Sequence, residues 1–323
     1  MAKPRVLVTR RWPEAVEARL NELFDVQLNR DDKPMQPEDF RAAMREYDAI
    51  LPTVTDKLGA PSMEIKAPQT RIFANYGVGY SHIDVPSASG HGIIVTNTPD
   101  VLSECTADLA MTLMLMVARR AGEGERELRA GEWTGWRPTH LIGSKVSGKT
   151  LGIIGYGRIG QEMAKRAHHG FGMKILAYNR SAVAPEVLAE NDATQVASVD
   201  ELLPQCDFVS LHCPGGAANR HLINGSRLSL MKKDAFIINT ARGEVIDEEA
   251  LAKALWFETI GGAALDVFDG EPNINPSLKE SDRLVMLPHL GSATREAREA
   301  MGFRVIDNLE DFFAGREPRD RVN

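Results

Sequence analysis

The sequence predicts an α/β protein made of two doubly wound parallel-sheet domains. Two observations predict it. Short apolar runs recur with helical stretches between them, once in the first hundred residues and again after residue 149. Buried strands that alternate with helices form a parallel sheet with helices on its faces. The length of 323 residues also suits two domains that each bury a core.

The first series begins with RVLVT (5–9), followed by a helix from Pro13 to Leu23. AILPT (49–53), RIFANYG (71–77) and IIVTNTP (93–99) continue it. Residues 103–121 then read as one long helix, with Asp100 and Ser103 as candidate caps and Glu104 at the positive end of the helix dipole. This helix is apolar nearly all round, which means burial on most faces and suggests a domain junction or a subunit interface. Residues 131–148 carry Gly, Pro, Trp133 and Trp136 and read as a long ordered loop. In the second series TLGIIG (150–155), KILAYN (174–179), FVSLHC (208–213), AFIINTA (235–241), GGAALDV (261–267) and RLVMLP (283–288) are strands, and residues 294–315 form a last helix.

Gly155-Tyr156-Gly157-Arg158-Ile159-Gly160 is G-x-G-x-x-G, placed between the strand TLGIIG and a helix over Ile159–His168. In that context the first Gly makes a tight turn and the second lets a pyrophosphate approach the backbone. The third lets the helix pack close to the sheet, and the helix N-terminus faces the anion. A dinucleotide site follows, with Arg158 and Ile159 inside the turn. The next strand ends at Asn179-Arg180-Ser181, where an NAD site usually carries an acid for the ribose 2′-hydroxyl. An Arg between two small polar residues suits a 2′-phosphate instead, so NADP(H) is expected over NAD(H). The other expected cofactor contacts lie at strand ends: Cys213, Pro214, Thr240, Ala241 and Gly291.

Arg242 ends AFIINTAR, Glu271 lies in DVFDGEP and His289 ends RLVMLPH. Ligands of open α/β sheets bind beyond the carboxyl ends of strands, so these three can meet at one edge. Reducing a ketone needs a proton donor at its oxygen, and His serves near neutral pH. A neighbouring carboxylate fixes its tautomer. An Arg grips a substrate carboxylate with two parallel bonds and polarises the carbonyl.

Bulk properties exclude several classes. The net charge of −7 provides no basic field for nucleic acid or an anionic membrane, and no apolar run reaches membrane-span length. MAKPRVLVTRRW runs directly into a strand without the apolar core of a secretory signal. The three cysteines, Cys105, Cys206 and Cys213, match no zinc or disulfide spacing. The expectation is a cytoplasmic protein with reduced thiols and no metal.

These residues resemble the D-isomer-specific 2-hydroxyacid dehydrogenase family over the whole chain. The resemblance is carried by NYGVGYSHIDV (75–85), GIIGYGRIG (152–160), LMKKDAFIINTARGEVIDEEAL (230–251), ALDVFDGEP (264–272) and LPHLGSAT (287–294). The NRS segment, the Trp-rich loop and HLGSAT are most similar to glyoxylate/hydroxypyruvate reductases. The resemblance implies Arg242 on the substrate carboxylate and carbonyl, and His289 as acid/base with Glu271 as its partner. It implies backbone N–H groups of Val78 and Gly79 on the substrate, Val54 beside them, Asp266 at the nicotinamide end, and Thr106 near the cofactor together with His289. It also implies a Rossmann cofactor domain, residues 99–290, inserted into a smaller flavodoxin-like substrate domain of residues 1–98 and 291–323. A homodimer is expected, with Trp136 reaching a neighbouring subunit's site and restricting it to short acids. The alternatives are a dehydrogenase of another 2-hydroxy acid and a non-catalytic, cofactor-sensing corepressor-like protein.

Overall fold

The computed structural model describes residues 2–323. The chain divides into two compact units: one runs to Leu102 and resumes at Ser292, and the other is Ser103–Gly291. Each is a parallel-sheet α/β domain.

The first unit contains β1 (Arg5–Val8), α1 (Glu14–Leu23), β2 (Asp25–Leu28), α2 (Pro37–Ala43), β3 (Ala49–Leu51), β4 (Ile72–Ala74), α3 (Val85–Gly90) and β5 (Ile94–Thr96). The strand order is β2-β1-β3-β4-β5, with every pair parallel. This is the flavodoxin-like order, and its topological switch lies between β1 and β3. Val6 pairs with both Val26 and Ala49. β1, β3 and β4 are buried apart from Arg5 because parallel strands are covered on both faces.

The second unit begins with α4 (Ser103–Ala118) and α5 (Ala121–Ala130), then alternates β6 (Thr150–Ile154), α6 (Arg158–Lys165), β7 (Lys174–Tyr178), α7 (Pro185–Ala189), β8 (Ala193–Gln195) and α8 (Val199–Leu202). β9 (Phe208–Leu211), α9 (Gly225–Leu228), β10 (Phe236–Asn239), α10 (Glu248–Trp256), β11 (Gly262–Leu265) and β12 (Leu284–Met286) complete it. The sheet order is β12-β11-β10-β9-β6-β7-β8, all parallel. From β6 the chain winds outward to β8, then returns to β9 and winds the other way. The switch therefore lies between β6 and β9. One apolar core on one face includes Val209, Ile237 and Leu251; the core on the other includes Leu113, Ile153 and Ile238.

Two strands, β2 and β8, are absent from the sequence reading. Both are sheet edges, and their burial alternates between exposed and intermediate. Their polar faces hide the apolar run by which the inner strands are recognised.

The apolar helix also needs correcting. It ends at Ala118, Arg120 turns the chain with a left-handed φ of 53°, and α5 follows separately. Nor does its burial require a junction or a second subunit. α4 packs on β10, β11 and β12 and on α6, and the strip Glu104, Asp108 and Thr112 is left exposed. A helix covered by the sheet and a neighbouring helix of its own domain is apolar over most of its circumference.

The final helix, α11 (Arg295–Phe313), belongs to the first unit. The Thr294 hydroxyl caps it by accepting the Ala297 N–H at 3.1 Å. Gly302 lies against α1 so closely that a Cβ there would come within 2.5 Å of Val16 Cγ1. Gly302→Val should therefore overpack this contact, cost about 1–3 kcal/mol and lower the Tm by a few degrees, with Val16→Ala restoring part of the loss. Thermal melts of the single and double variants check this; an unchanged Tm in Gly302→Val would show that α11 and α1 are not in contact.

Candidate active site

The glycine turn follows β6 at the switch point. Gly155 has φ +96°, and a Cβ on it would come within 2.6 Å of the Cys213 backbone nitrogen after β9. A side chain is thus excluded both by conformation and by the neighbouring strand end. Gly157 is the N-cap of α6, and nothing lies within 4 Å of the position a Cβ would take there. Gly160 packs so tightly that a Cβ would lie 2.3 Å from the Gly155 carbonyl oxygen. The three glycines give a turn, an open approach to the first amides of α6, and a helix drawn onto the sheet. Arg158 and Ile159 are the first two residues of that helix.

Arg242, Glu271 and His289 lie at the same carboxyl edge, past the adjacent strands β10, β11 and β12. Arg242 lies three residues past the end of β10. Asn239, buried at the last position of that strand, holds its turn: its Oδ1 accepts the Ala241 N–H at 3.0 Å and its Nδ2 donates to the Arg242 carbonyl at 2.9 Å. Gly243 lets this turn press on the next, since a Cβ there would fall 1.9 Å from the Phe268 carbonyl carbon. Burial pushes the Arg242 guanidinium down from its ordinary pKa, while the charges of Glu271 and Glu244 oppose that shift.

Glu271 and His289 meet directly. His289 Nδ1 and Glu271 Oε2 are 2.8 Å apart, and Glu271 Oε1 accepts the Phe268 N–H at 2.9 Å. Burial raises the Glu271 pKa, but the His289 hydrogen bond and charge, the Phe268 N–H and the Arg242 charge outweigh it and hold the carboxyl below its ordinary value. An ionised Glu271 makes Nδ1 the donor and leaves Nε2 of His289 for chemistry at a substrate. His289 itself has a left-handed φ of 56°. Its N–H donates to the Asp266 carbonyl at 2.8 Å, and the Asp266 carboxylate accepts the N–H groups of Leu290 at 2.7 Å and Gly291 at 2.8 Å. Thr106, on α4, donates its hydroxyl to the Gly291 carbonyl at 3.2 Å. Asp266 and Thr106 thus secure the turn that carries His289.

At the end of β7, Asn179 Nδ2 donates to the Ser181 hydroxyl at 3.1 Å, beside the exposed Arg180. Cys213 follows β9; burial pushes its thiol up to about 11, against the influence of its own backbone N–H and the nearby Arg180 charge. The Pro214 carbonyl accepts Asn219 Nδ2 at 2.8 Å. Thr240 and His212 each come directly after a paired strand residue, and each has a buried polar atom, Thr240 Oγ1 and His212 Nδ1, with no partner among the described residues. Orphaned polar atoms beside an open glycine turn fit a polar cofactor laid across the edge. His212 was missed from sequence, although its place at the end of FVSLH marked it. Burial lowers its pKa to about 4.

In the first unit, the loop after β4 turns its carbonyls inward. Asn75 Nδ2 donates to the carbonyls of Gly77 at 2.9 Å and Gly79 at 3.1 Å, and Asn97 Nδ2 donates to that of Val78 at 2.9 Å. The N–H groups of Val78 and Gly79 donate to no acceptor among the described residues. Val54 flanks this loop: its Cγ1 lies 3.0 Å from where a Cβ on Gly77 would sit. In the second unit, the segment between α5 and β6 is irregular. Trp136 is 82 % exposed there and Trp133 51 %, so neither packs beneath its own loop.

A glycine turn at the switch point and a His–Glu pair at the same sheet edge define a dinucleotide-dependent dehydrogenase. Comparison with known proteins specifies the kind. The family described as D-isomer specific 2-hydroxyacid dehydrogenase, NAD binding domain, matches residues 111–291. A glyoxylate reductase from Thermococcus litoralis is 45 % identical, with 99 % of this chain and 97 % of the relative covered. One from Pyrococcus horikoshii is also 45 % identical, covering 99 % and 96 %. Among solved structures, an NADPH-dependent glyoxylate/hydroxypyruvate reductase from Sinorhizobium meliloti, in complex with NADP and malonate, superposes with a TM-score of 0.89 at 34 % identity, covering 99 % of this chain and 97 % of that one. The chain belongs to the D-isomer-specific 2-hydroxyacid dehydrogenase family.

The Glu271 shift has a consequence for stability. A carboxyl held below its ordinary pKa stabilises the fold while ionised, and that stabilisation is lost as the pH falls through the lowered value. Glu271→Gln should therefore lower the Tm at about pH 6, and the gap to the native chain should close below about pH 4. Melting curves across that range check it; a constant gap would contradict the pairing.

Proposed function

We propose that this enzyme is an NADP(H)-linked reductase of short 2-keto acids, glyoxylate or hydroxypyruvate, giving the 2-hydroxy acid. The 2.8 Å contact between His289 and Glu271, on the sheet edge that also carries Arg242 and the glycine turn, is the observation that carries it. The names of the full-length relatives support the substrate class.

Bound NADPH supplies the hydride that the keto carbon accepts. His289 donates a proton from Nε2 to the carbonyl oxygen as charge develops there, and Glu271 holds the imidazole in the required tautomer and steadies its charged form. Arg242 binds the substrate carboxylate through its planar fork and draws electron density from the carbonyl. On the five-stranded unit, the N–H groups of Val78 and Gly79 are a further proposed anchor for a carboxylate, with Val54 beside them. The first amides of α6, with Gly155, Gly157 and Gly160, take the pyrophosphate. The strand-end residues Cys213, Pro214, Thr240, Ala241, Asp266 and Gly291, with Thr106, line or support the cofactor's path. No helix among the described residues is long and apolar enough to cross a membrane, and the proposed location is the cytoplasm, where three cysteines outside any disulfide stay reduced.

His289→Ala should lose about 10²–10⁴-fold in kcat while NADPH still binds. Arg242→Lys should fail in both KM and kcat, because an ammonium lacks the fork. NADPH consumption with glyoxylate measures both. Near-native turnover in either variant would remove that residue from the site, and no turnover of any 2-keto acid by the native chain would favour a cofactor-sensing binding role.

The preference for NADP(H) rests on Asn179-Arg180-Ser181, where an acid would repel a 2′-phosphate. Arg180→Asp should move the ratio of kcat/KM values toward NADH by at least tenfold. A native enzyme that already favours NADH would overturn this assignment.

Leu128, Trp133, Trp136 and Ile142 are large apolar side chains left exposed along α5 and its following loop. Such a cluster usually marks an interface, and a twofold homodimer is the commonest closed arrangement. Sedimentation at micromolar concentration should show a dimer. Trp136→Ala should then widen tolerance for larger 2-keto acids relative to glyoxylate; a monomer, or an unmoved selectivity ratio, would count against this role for Trp136.

A further inference from the structure

We propose that Glu244 is a positioning residue that joins the loop after β9 to the turn bearing Arg242, so that the cofactor side and the substrate side of this edge are held as one piece. The inference rests on the functional reading above, in which Arg242 binds the keto acid and Cys213-Pro214 lies along the cofactor.

The connection can be followed atom by atom within the second unit. The glycine turn abuts the loop, because the space a Gly155 Cβ would need is filled by the Cys213 backbone. Pro214 is fixed by Asn219 at 2.8 Å. Gly215 then passes so near the next element that a Cβ on it would come within 2.5 Å of Glu244 Oε1 and 3.0 Å of Arg242 Cγ. Gly216, at φ +95°, turns its N–H onto Glu244 Oε1. The backbone repeats the connection: the Glu244 carbonyl accepts the His221 N–H at 2.8 Å, and that of Val245 accepts the Ile223 N–H at 3.0 Å. Of these links, only the Glu244 side chain reaches the part of the loop that borders Arg242.

A carboxylate accepting a backbone N–H is among the stronger hydrogen bonds available to a loop. Here it fixes a glycine pair that would otherwise sample many conformations. Without it, Gly215-Gly216 is free to leave the Arg242 stem, and both the cofactor loop and the guanidinium lose a wall. The carboxylate also contributes a negative charge near Arg242, together with Glu271. Its bond to Gly216 directs Oε1 at the loop, leaving the guanidinium available to an anionic substrate.

The test uses the full-length enzyme and four variants: Glu244→Ala, Glu244→Gln, Arg242→Lys, and Glu244→Ala combined with Arg242→Lys. NADPH affinity is read from its fluorescence on binding, and KM and kcat from glyoxylate reduction. Glu244→Ala should weaken NADPH binding and raise the glyoxylate KM, each on the order of tenfold, with kcat changed less than KM. Glu244→Gln keeps an acceptor oxygen for Gly216 and should restore both to within about threefold of native. In the Arg242→Lys background, Glu244→Ala should still weaken NADPH binding but add little to the glyoxylate KM, because the residue it positions is already gone. Independent sites would give additive losses. The proposal is overturned if Glu244→Ala matches the native enzyme, if Glu244→Gln is as impaired as Glu244→Ala, or if only the cofactor affinity moves. Arg242→Lys alone separates the two levels: native-like activity there removes the functional reading, whereas an Arg242→Lys variant with impaired but measurable turnover beside a native-like Glu244→Ala removes only this inference.

Discussion

Asp266 directly follows β11 as a buried acid, 1 % exposed, and it organises the turn on the neighbouring strand. Its two oxygens accept the N–H groups of Leu290 and Gly291, and its carbonyl accepts that of His289. Burial raises the Asp266 pKa, while the two N–H groups and the His289 charge oppose the rise. An unpaired carboxylate at that depth would cost several kcal/mol. The turn after β12 must therefore keep its amides pointed at Asp266, and this holds His289 in a left-handed conformation that a side-chain-bearing residue seldom adopts. The imidazole then falls beside Glu271. One buried side chain thus organises the turn that places the ring nitrogen at the edge.

The rest of the edge follows from the parallel sheet. Because β6 through β12 all run the same way, every strand delivers its following residue to one side. The reversal between β6 and β9 leaves room there for the glycine turn. Close backbone approaches at Gly155, Gly160 and Gly243 then bring neighbouring turns within a few ångströms. Asn239 holds the turn that bears Arg242, and Asp266 and Glu244 tie neighbouring turns together through backbone N–H groups.

Much of this could be read in the sequence, for identifiable reasons. The inner strands show as apolar runs because helices cover both their faces, and Gly155 and Gly160 make backbone contacts that no other residue allows. Arg242, Glu271 and His289 stood out as polar residues just past apolar strands, and the structure brings Glu271 and His289 together at 2.8 Å. Other features leave no such trace. The edge strands β2 and β8 are half exposed and polar. α4 is apolar nearly all round because its own domain encloses it, a cause indistinguishable in sequence from an interface. The contributions of Asn239, Glu244 and Asp266 to the turns are made to backbone amides and carbonyls, which carry no residue-type signature. His212 and Thr240 differ again: their places just past strands show in the sequence, but the buried atom without a partner on each is visible only in three dimensions.

In the proposed reaction Arg242 and His289 face the two ends of a keto acid at this edge. A crystal structure of the protein with NADP and oxalate, a flat analogue of glyoxylate that cannot be reduced, tests it most directly. Two guanidinium nitrogens of Arg242 should lie at hydrogen-bond distance from the oxalate and His289 Nε2 on an oxalate oxygen, with the Glu271 contact preserved. Oxalate bound away from Arg242, or His289 turned from it with NADP in place, would contradict the claim.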